Sequence, residues 1–349
     1  MYIHEYQEGP LLDGQFRVAT LYSGFSAGTE LTFLKGSNPY LTSHWDDAYG
    51  VFVAGEPSAR YPLLFLGYME VGRITESRSS AVRAGDIVGM TYGHKTGHTG
   101  EPRYDFVFVL PRELEPILGI YVTQMGPICA NGLLHAAADL VGTDVRSLAD
   151  GIMGRNVVVI GAGVVGLLTA LFARRHRAAE VLIVDPAPFR RKTAEAMGFV
   201  ALEESTAWRF CKDRWHHGAS DRGADLAFQC RANAASLHEA LRALRPQGTV
   251  IDLAFYQGGA ETLRLGEEFH HNGLTIRCAQ IGRVPRGLGF AWNRQRLARE
   301  TADLLLAEGE LIRNHMITDV VPFEHAPAFI SDLVRCRRDF LQIVFEVEA

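Results

Sequence analysis

The 349-residue sequence has few features of a secreted, membrane-spanning or nucleic-acid-binding protein. It has only five cysteines, an odd and scattered number, so we expect reduced thiols in a cytoplasm and no disulfide framework. No apolar run approaches the length that spans a bilayer, and the first residues lack the charged-then-apolar order of a signal peptide. The net charge of −5 gives no reason to expect nucleic acid or an anionic membrane as a partner.

The composition is that of a globular protein, with 47% hydrophobic and 21% charged residues, and the length is sufficient for two domains. Before about residue 125, short β-like runs alternate with clusters of Gly, Pro and Ser. The predicted strands of this region are 16–22, 67–75, 86–90 and 104–110. From about 126 to 290, strands alternate with helices, which predicts a parallel sheet with crossover helices.

The last part of the chain combines a predicted helix at 294–306 with strand-like runs at 317–321 and 340–347. These strands would most simply pair with the first β-rich region. We therefore predict an α/β protein in which residues 1–125 and 291–349 form a β domain. Residues 126–290 would form a doubly wound parallel sheet.

The strongest functional signal is the run NVVVIGAGVVG at 156–166. A buried strand leads into three glycines. Gly161 permits a tight turn, Gly163 lets a pyrophosphate approach the backbone, and Gly166 lets the next helix lie close to the sheet. The helix predicted at 164–175 points its free N–H groups at the phosphates. A second apolar strand ends in Asp185, where a carboxylate binds a ribose 2′-hydroxyl. This pattern predicts a dinucleotide site.

Asp185 also bears on the choice between the two nicotinamide cofactors. A carboxylate repels the 2′-phosphate of NADP(H), so NAD(H) is favoured. Arg190 and Arg191 follow and weaken this inference, although a solvated start of a helix also accounts for them.

The order of the regions resembles the medium-chain dehydrogenase/reductase superfamily, which includes the zinc alcohol dehydrogenases. Besides the dinucleotide motif, three segments are similar to motifs of that superfamily: GFSAGTE at 24–30, LGYMEVG at 66–72 and GDIVG at 85–89. The resemblance covers nearly the whole chain. It implies a GroES-like β domain that is interrupted by a Rossmann domain.

The chain departs from the superfamily at the positions that the resemblance assigns to zinc. Ser26 or Ala27 stands in place of the zinc cysteine, and Tyr68 replaces the zinc histidine. Pro127 best fits the third ligand position, with Cys129 close by, and the four-cysteine structural lobe is missing. Since zinc needs Cys, His or carboxylate ligands, we predict a zinc-free member with no metal site.

The segments at 26–30, 92–94 and 268–272 are closest to a zinc-free branch of the superfamily. It includes hydroxyethyl-bacteriochlorophyllide dehydrogenase and the sugar- or cyclitol-type dehydrogenases of secondary metabolism. By position, the resemblance also implies cofactor contacts beyond the phosphate loop. The residues assigned to the cofactor are Gly161, Ala162, Gly163, Val164, Val165, Gly166, Asp185, Pro186, Arg190, Asn131, Cys230, Arg231, Ala254, Phe255, Tyr256 and Ile281.

Hydride transfer belongs to the nicotinamide, so the protein must supply an acid or base and a group that polarises the carbonyl in place of zinc. By the resemblance, Thr29 matches the hydroxyl of a proton relay, although it could also be a turn hydroxyl without a catalytic role. Glu30 matches the acid that backs the zinc histidine, or it caps the helix that follows. In one interpretation the Tyr68 hydroxyl holds the substrate oxygen, which requires the pKa of Tyr68 to fall from about 10. In the other, Tyr68 is a core or pocket-wall residue. His94 is a candidate base or relay.

Three more residues, Tyr92, Ser26 and Glu70, are assigned to the substrate pocket. The spacing of His94 and His98 could suit a metal pair, but the glycines beside them argue against a helix. We expect His270 and His271 at a strand entrance or a subunit surface.

The leading prediction is a zinc-independent, NAD(H)-dependent oxidoreductase that acts on a secondary alcohol or ketone of a polyhydroxylated or natural-product substrate. An enone reductase of the same superfamily and a non-catalytic dinucleotide sensor stay open. The proton step is expected in a cleft between the two domains. Superfamily members often continue the Rossmann sheet across a two-fold axis, so the apolar strand at 274–279 indicates a homodimer.

Overall fold

The computed structural model describes residues 1–335 and 338–347, so Cys336 lies outside the described residues. In chain order the strands are β1 (Phe16–Phe25), β2 (Ser43–Asp46), β3 (Val51–Ala54), β4 (Glu70–Ser77), β5 (Ile87–Met90), β6 (Gly97–Gly100), β7 (Phe108–Val109), β8 (Asn156–Ile160), β9 (Glu180–Val184), β10 (Val200–Leu202), β11 (His216–Gly218), β12 (Asp221–Arg222), β13 (Ala224–Gln229), β14 (Leu244–Asp252), β15 (Thr275–Cys278), β16 (Ile317–Pro322) and β17 (Gln342–Glu346). The α-helices are α1 (Ala27–Leu34), α2 (Met125–Val141), α3 (Val164–Arg175), α4 (Pro188–Ala196), α5 (Glu204–Arg214), α6 (Ala234–Ala243), α7 (Arg294–His315) and α8 (Ala326–Arg335).

The chain forms two compact units, Met1–Thr123 with Thr318–Ala349, and Gln124–Ile317. The predicted boundary after residue 290 lies before α7, whereas the structural boundary follows Ile317, after α7. This helix belongs to the second unit because its buried apolar side chains pack against α2. Within the described residues, no helix is long and apolar enough to cross a membrane.

The first unit is built on a seven-stranded sheet with the order β16-β17-β1-β4-β5-β7, in which β6 also pairs with β1. The two strands of the tail lie beside β1, which confirms that the tail returns to the β-rich region. The predicted strand at 104–110 is wrong over most of its length. The amides of Tyr104 and Asp105 both donate to the Glu101 carbonyl, which closes a turn and leaves only β7 extended.

The second unit contains a six-stranded parallel sheet with the order β10-β9-β8-β13-β14-β15. Strand β8 lies between β9 and β13, and Val157 to Ile160 are fully buried, as their unbroken apolar sequence requires. The chain order reverses at β8, and ligands of such sheets bind at this point, outside the carboxyl ends of the strands. The predicted helix at 164–175 matches α3 residue for residue.

Candidate functional site

The turn between β8 and α3 has the geometry of a phosphate loop. A Cβ on Gly166 would lie 1.7 Å from the Gly161 carbonyl oxygen, so only glycine lets α3 begin this close to the strand. A Cβ on Gly163 would have a single neighbour within 4 Å, Arg190 Nη1 at 3.7 Å. The space in front of the helix is therefore open, and the unpaired N–H groups of the first turn of α3 suit the pyrophosphate of a dinucleotide.

Asp185 follows β9 at the expected end of the sheet, but its side chain is only 1% exposed. Its Oδ2 accepts the Ala162 N–H at 2.9 Å, and its Oδ1 accepts the Ala187 N–H at 2.8 Å. Asp185 thus also ties the phosphate loop to the next turn, a role that the sequence did not indicate. A carboxylate has about four acceptor positions, so two remain for ribose hydroxyls.

The two arginines after Asp185 have different surroundings. Arg191 Nη1 donates to the carbonyls of Asp185 and Pro186, both at 2.7 Å, and is occupied by the backbone. Arg190 Nη1 is 3.8 Å from Asp185 Oδ2, and its side chain is 39% exposed. Of the two, Arg190 is the one that reaches the phosphate loop.

Asn131 lies inside α2 and is fully buried. Its Nδ2 donates to the carbonyls of Gln280 and Arg283 at 3.1 and 3.2 Å, which fixes the segment that contains Ile281. Its Oδ1 has no hydrogen-bond partner among the described residues. This orphaned acceptor suits a hydrogen bond from a donor such as a nicotinamide carboxamide.

The remaining predicted cofactor residues follow β13 and β14. The Nη1 of Arg231 is held by the Glu204 carboxylate at 2.9 and 3.0 Å and by Ser236 at 2.8 Å, partners that the sequence did not indicate. Tyr256 donates to Asp252 Oδ2 at 2.9 Å, whereas Phe255 is 40% exposed and free to stack on a ring. Cys230 and Ala254 are half-buried at the same strand ends.

In the first unit, three hydroxyl groups meet at the end of β1. Tyr68 is hydrogen-bonded to the Ser26 hydroxyl and donates to Thr29 Oγ1 at 3.0 Å. Ser26 and Thr29 are adjacent in space because α1 begins at Ala27, so the first helical turn brings them together. The three residues form what we call the hydroxyl cluster.

A second group, which we call the carboxyl–imidazole line, adjoins the hydroxyl cluster. Glu30 Oε1 accepts the Ser26 N–H at 2.7 Å, and its Oε2 lies 2.6 Å from His94 Nε2. Ser23, which sequence reasoning missed, lies 2.7 Å from His94 Nδ1 and donates to Glu70 Oε1 at 3.1 Å. The signal for Ser23 is the β1–β4 register, which pairs it with Glu70.

The imidazole reaches this position because Gly67 has no side chain. A Cβ on Gly67 would lie 2.8 Å from His94 Cε1, and the residue has a φ of +107°. The backbone N–H of His94 also donates to the Leu66 carbonyl at 2.7 Å. The loop before β4 and the loop after β5 are thereby held together, with His94 packed beside Phe25 and Phe345.

Burial and charge shift the pKa values of this group in known directions. Burial raises the pKa of Glu70 to about 7, against the opposing effect of His94. For His94, burial lowers the pKa, but the charge and hydrogen bond of Glu30 outweigh it, so the net pKa is raised. Burial raises the pKa of Tyr68 despite its hydrogen bonds to Ser26 and Thr29. The expectation that the Tyr68 pKa falls is therefore wrong for this structure, and the phenol stays protonated at neutral pH.

The three residues assigned to the substrate pocket are corrected by their burial. Glu70 and Ser26 are 0% and 2% exposed, and Tyr92 is 8% exposed in the core of the sheet. The Tyr92 hydroxyl is 2.7 Å from Thr20 Oγ1, and its ring stacks on His98 with centroids 4.6 Å apart. The side chain of Tyr92 therefore packs inside the β unit, and the Ser26 hydroxyl is hydrogen-bonded to Tyr68.

The donors at the predicted zinc positions do not fit zinc. Ser26 and Tyr68 present hydroxyl oxygens that are bonded to each other, whereas zinc sites in proteins use thiolate, imidazole or carboxylate ligands. His94 and His98 have separate carboxylate partners, Glu30 and Asp105, and do not form a pair. In the described residues, three ligand atoms of His, Cys, Asp or Glu come within 4.8 Å of one another at one place, His238, Glu267 and Glu268.

The chain is similar to several known dehydrogenases and reductases. A family model described as zinc-binding dehydrogenase matches residues 164–289, a segment that excludes positions 26, 68 and 127. The D-guloside 3-dehydrogenase of Escherichia coli K12 is 26% identical over 329 residues, which cover 93% of this chain and 90% of that protein. The D-xylulose reductase A of Aspergillus oryzae is 25% identical over 315 residues, covering 84% and 82%.

Among solved structures, an alcohol dehydrogenase from Thermotoga maritima has a TM-score of 0.72 at 17% identity, over 99% of this chain and 95% of that one. Together the family model, the relatives and the fold support the resemblance to the medium-chain dehydrogenase/reductase superfamily, and with it an NAD(P)-dependent oxidoreductase that has a GroES-like unit and a Rossmann unit.

Proposed function

We propose that this oxidoreductase transfers hydride between a nicotinamide cofactor and a secondary alcohol or ketone on a polyhydroxylated substrate, without zinc. The observation that carries the proposal is the hydroxyl cluster, in which Ser26 and Tyr68, at positions that the resemblance assigns to zinc, are hydrogen-bonded to each other, and Tyr68 also to Thr29, the residue that matches the relay hydroxyl. The similarity to a guloside dehydrogenase and a xylulose reductase supports a substrate that is rich in hydroxyl groups.

When bound, the nicotinamide supplies or accepts the hydride. Tyr68 donates its hydrogen bond to the substrate oxygen, and the Ser26 hydroxyl donates to the Tyr68 oxygen in turn. Because the Tyr68 pKa is raised, the phenol acts as a donor that stabilises negative charge and does not act as the base. Thr29, which accepts from Tyr68 in the free protein, then presents its own hydroxyl to the substrate.

The proton that leaves the alcohol is taken up by the pair of Glu30 and His94. Glu30 links the two groups of residues, since its Oε1 binds the Ser26 amide and its Oε2 binds His94. The raised pKa of His94 favours the protonated imidazole, which serves as the acid in the reverse direction. This division of roles favours alcohol or ketone chemistry over the reduction of an enone.

We infer that NAD(H) is preferred over NADP(H). Asp185 keeps acceptor capacity for ribose hydroxyls, and its buried carboxylate would lie against a 2′-phosphate. Arg190, which reaches the loop, opposes this preference in part.

We also infer a homodimer that pairs through β15. This strand is an edge of the parallel sheet, and the neighbouring residues Leu274 and Ala279 are buried. Strand edges that stay open invite pairing with another chain, and a two-fold axis would satisfy both edges at once.

The proposal is tested by turnover. The protein, dialysed against a chelator, is mixed with NAD⁺ and a panel of polyols and cyclitols, and the formation of reduced nicotinamide is followed by absorbance. We expect turnover of at least one polyol that is unchanged by the chelator. Cofactor binding with no turnover of any alcohol or ketone, or activity that zinc restores after chelation, would contradict the proposal.

A further inference from the structure

The inner end of the carboxyl–imidazole line has no part in the hydride transfer proposed above. There, the Ser23 hydroxyl lies 3.1 Å from Glu70 Oε1 and 2.7 Å from His94 Nδ1. The β1–β4 register places Ser23 directly opposite Glu70, so the sheet fixes this contact. At its other end His94 Nε2 lies 2.6 Å from Glu30 Oε2. The line joins two buried carboxyl groups through a serine and an imidazole.

Counting hydrogens restricts the states of this line, because a hydroxyl has one hydrogen and cannot donate to both neighbours. If Ser23 donates to Glu70, His94 Nδ1 must donate to Ser23. Since Nε2 faces the Glu30 carboxylate and donates to it, the ring is then an imidazolium and Glu70 a carboxylate. If Ser23 donates to Nδ1, the ring is neutral, and Glu70 is protonated and donates to Ser23. Both arrangements hold the same number of protons.

We propose that Glu70, Ser23 and His94 share one proton, which the Ser23 hydroxyl passes between the carboxyl and the imidazole. In one direction the carboxyl hydrogen moves from Glu70 Oε1 to the Ser23 oxygen while the Ser23 hydrogen moves to His94 Nδ1. The reverse shift restores the first state. Glu70 is then a positioning residue that sets the charge of His94, and its importance for catalysis rests on the proposed function.

The surroundings of Glu70 favour such sharing. Its side chain is fully buried, and this burial disfavours the carboxylate form more than the hydrogen bonds from Ser23 and from the backbone of Met69 and Gly93 stabilise it. Burial brings the pKa of Glu70 to about 7, close to the ordinary range of histidine. The other titratable groups that face the line are Glu30 on α1, Tyr68 before β4, and Tyr92 and Lys95 after β5.

The test is a titration of ¹⁵N-histidine-labelled protein by NMR without cofactor or substrate, in which His94 is assigned by the loss of its signals in His94→Gln. In Glu70→Gln the side-chain amide donates to the Ser23 oxygen, as the protonated Glu70 carboxyl does. The Ser23 hydroxyl then donates to His94 Nδ1. We expect it to lower the His94 pKa by about one unit or more. With Ser23→Ala also present, Glu70→Gln should change the His94 pKa by less than a third as much.

Two matched variants complete the design. Ser23→Thr keeps the hydroxyl and should keep the coupling, and Ser23→Cys, a weak donor of similar size, replaces Ser23→Ala if that variant does not fold. Asp105→Asn removes a carboxylate that lies 3.4 Å from His98 and not against His94, and it should leave the titration of His94 unchanged.

An equal effect of Glu70→Gln with and without Ser23→Ala would mean that the carboxylate acts only through space, and it would overturn the proposal. So would an unchanged His94 titration in Glu70→Gln. The titration measures no turnover, so the two proposals fail separately. A protein without polyol activity would refute the proposed function and leave this inference standing. A failed titration would refute this inference and leave the proposed function standing.

Discussion

Glu70→Gln should reduce the dependence of stability on pH. The side chain is 0% exposed, and its pKa is about 7 in the folded protein against an ordinary 4.5. At pH values between 4.5 and 7 the folded protein binds the Glu70 proton more tightly than the unfolded protein does. The stability that Glu70 contributes is therefore complete below pH 4.5 and is lost as the pH rises through 7. At about 1.36 kcal/mol for each pKa unit, the loss amounts to roughly 3 kcal/mol. Glutamine has no proton to lose.

The assay is denaturant unfolding of both proteins across pH 4.5 to 8, followed by circular dichroism. The free energy of unfolding of the wild type, relative to Glu70→Gln, should fall by about 3 kcal/mol over this range. Glu76→Gln, at a side chain that is 59% exposed, serves as the control and should leave the curve parallel to the wild type. Parallel curves for Glu70→Gln and the wild type would refute the reasoning about its burial.

Three further predictions concern the cofactor, the metal and the assembly. Asp185→Ser should narrow the preference for NAD(H) by about ten- to a hundredfold in binding titrations, since a hydrogen bond to a charged group contributes roughly 1.5–3 kcal/mol; tighter NADPH binding by the wild type would oppose this. Elemental analysis after gentle purification should find well under one zinc per chain. One zinc per chain would contradict our interpretation that Ser26 and Tyr68 replace the zinc ligands. Light scattering at micromolar concentration should give the mass of a dimer, and a monomer would exclude pairing through β15.

The sequence predicts the fold best where apolar residues follow one another without interruption. Four consecutive β-branched residues before Gly161 require a strand that is covered on both faces, and the structure places β8 between β9 and β13. The helix α5 was missed because its polar and charged face conceals a short buried stripe of Ala207 and Cys211. The helix α7 was assigned to the wrong unit because amphipathic spacing identifies a helix but not the surface that it covers.

The candidate site was only partly foreseeable. Position in a motif identified Tyr68, Thr29, Glu30 and His94, which the structure brings together in two bonded groups. Ser23 escaped because its role depends on the β1–β4 register, which no local pattern encodes.

Sequence position also gave no information on whether a polar group is already satisfied. Arg231 is occupied by Glu204, and Tyr92 is bonded to Thr20 in the core, so neither presents its polar group to a ligand. Asn131, in contrast, keeps one free acceptor atom.

The most direct test of the central claim is the effect of Tyr68→Phe on turnover of an active polyol with NAD⁺. The change keeps the ring and removes the hydroxyl that we propose holds the substrate oxygen, so kcat should fall about a hundredfold or more while the Kd of NAD(H) stays unchanged. Tyr92→Phe is the matched control, since its hydroxyl is bonded to Thr20 in the core, and it should keep near-native kcat. A near-native kcat for Tyr68→Phe would contradict the account.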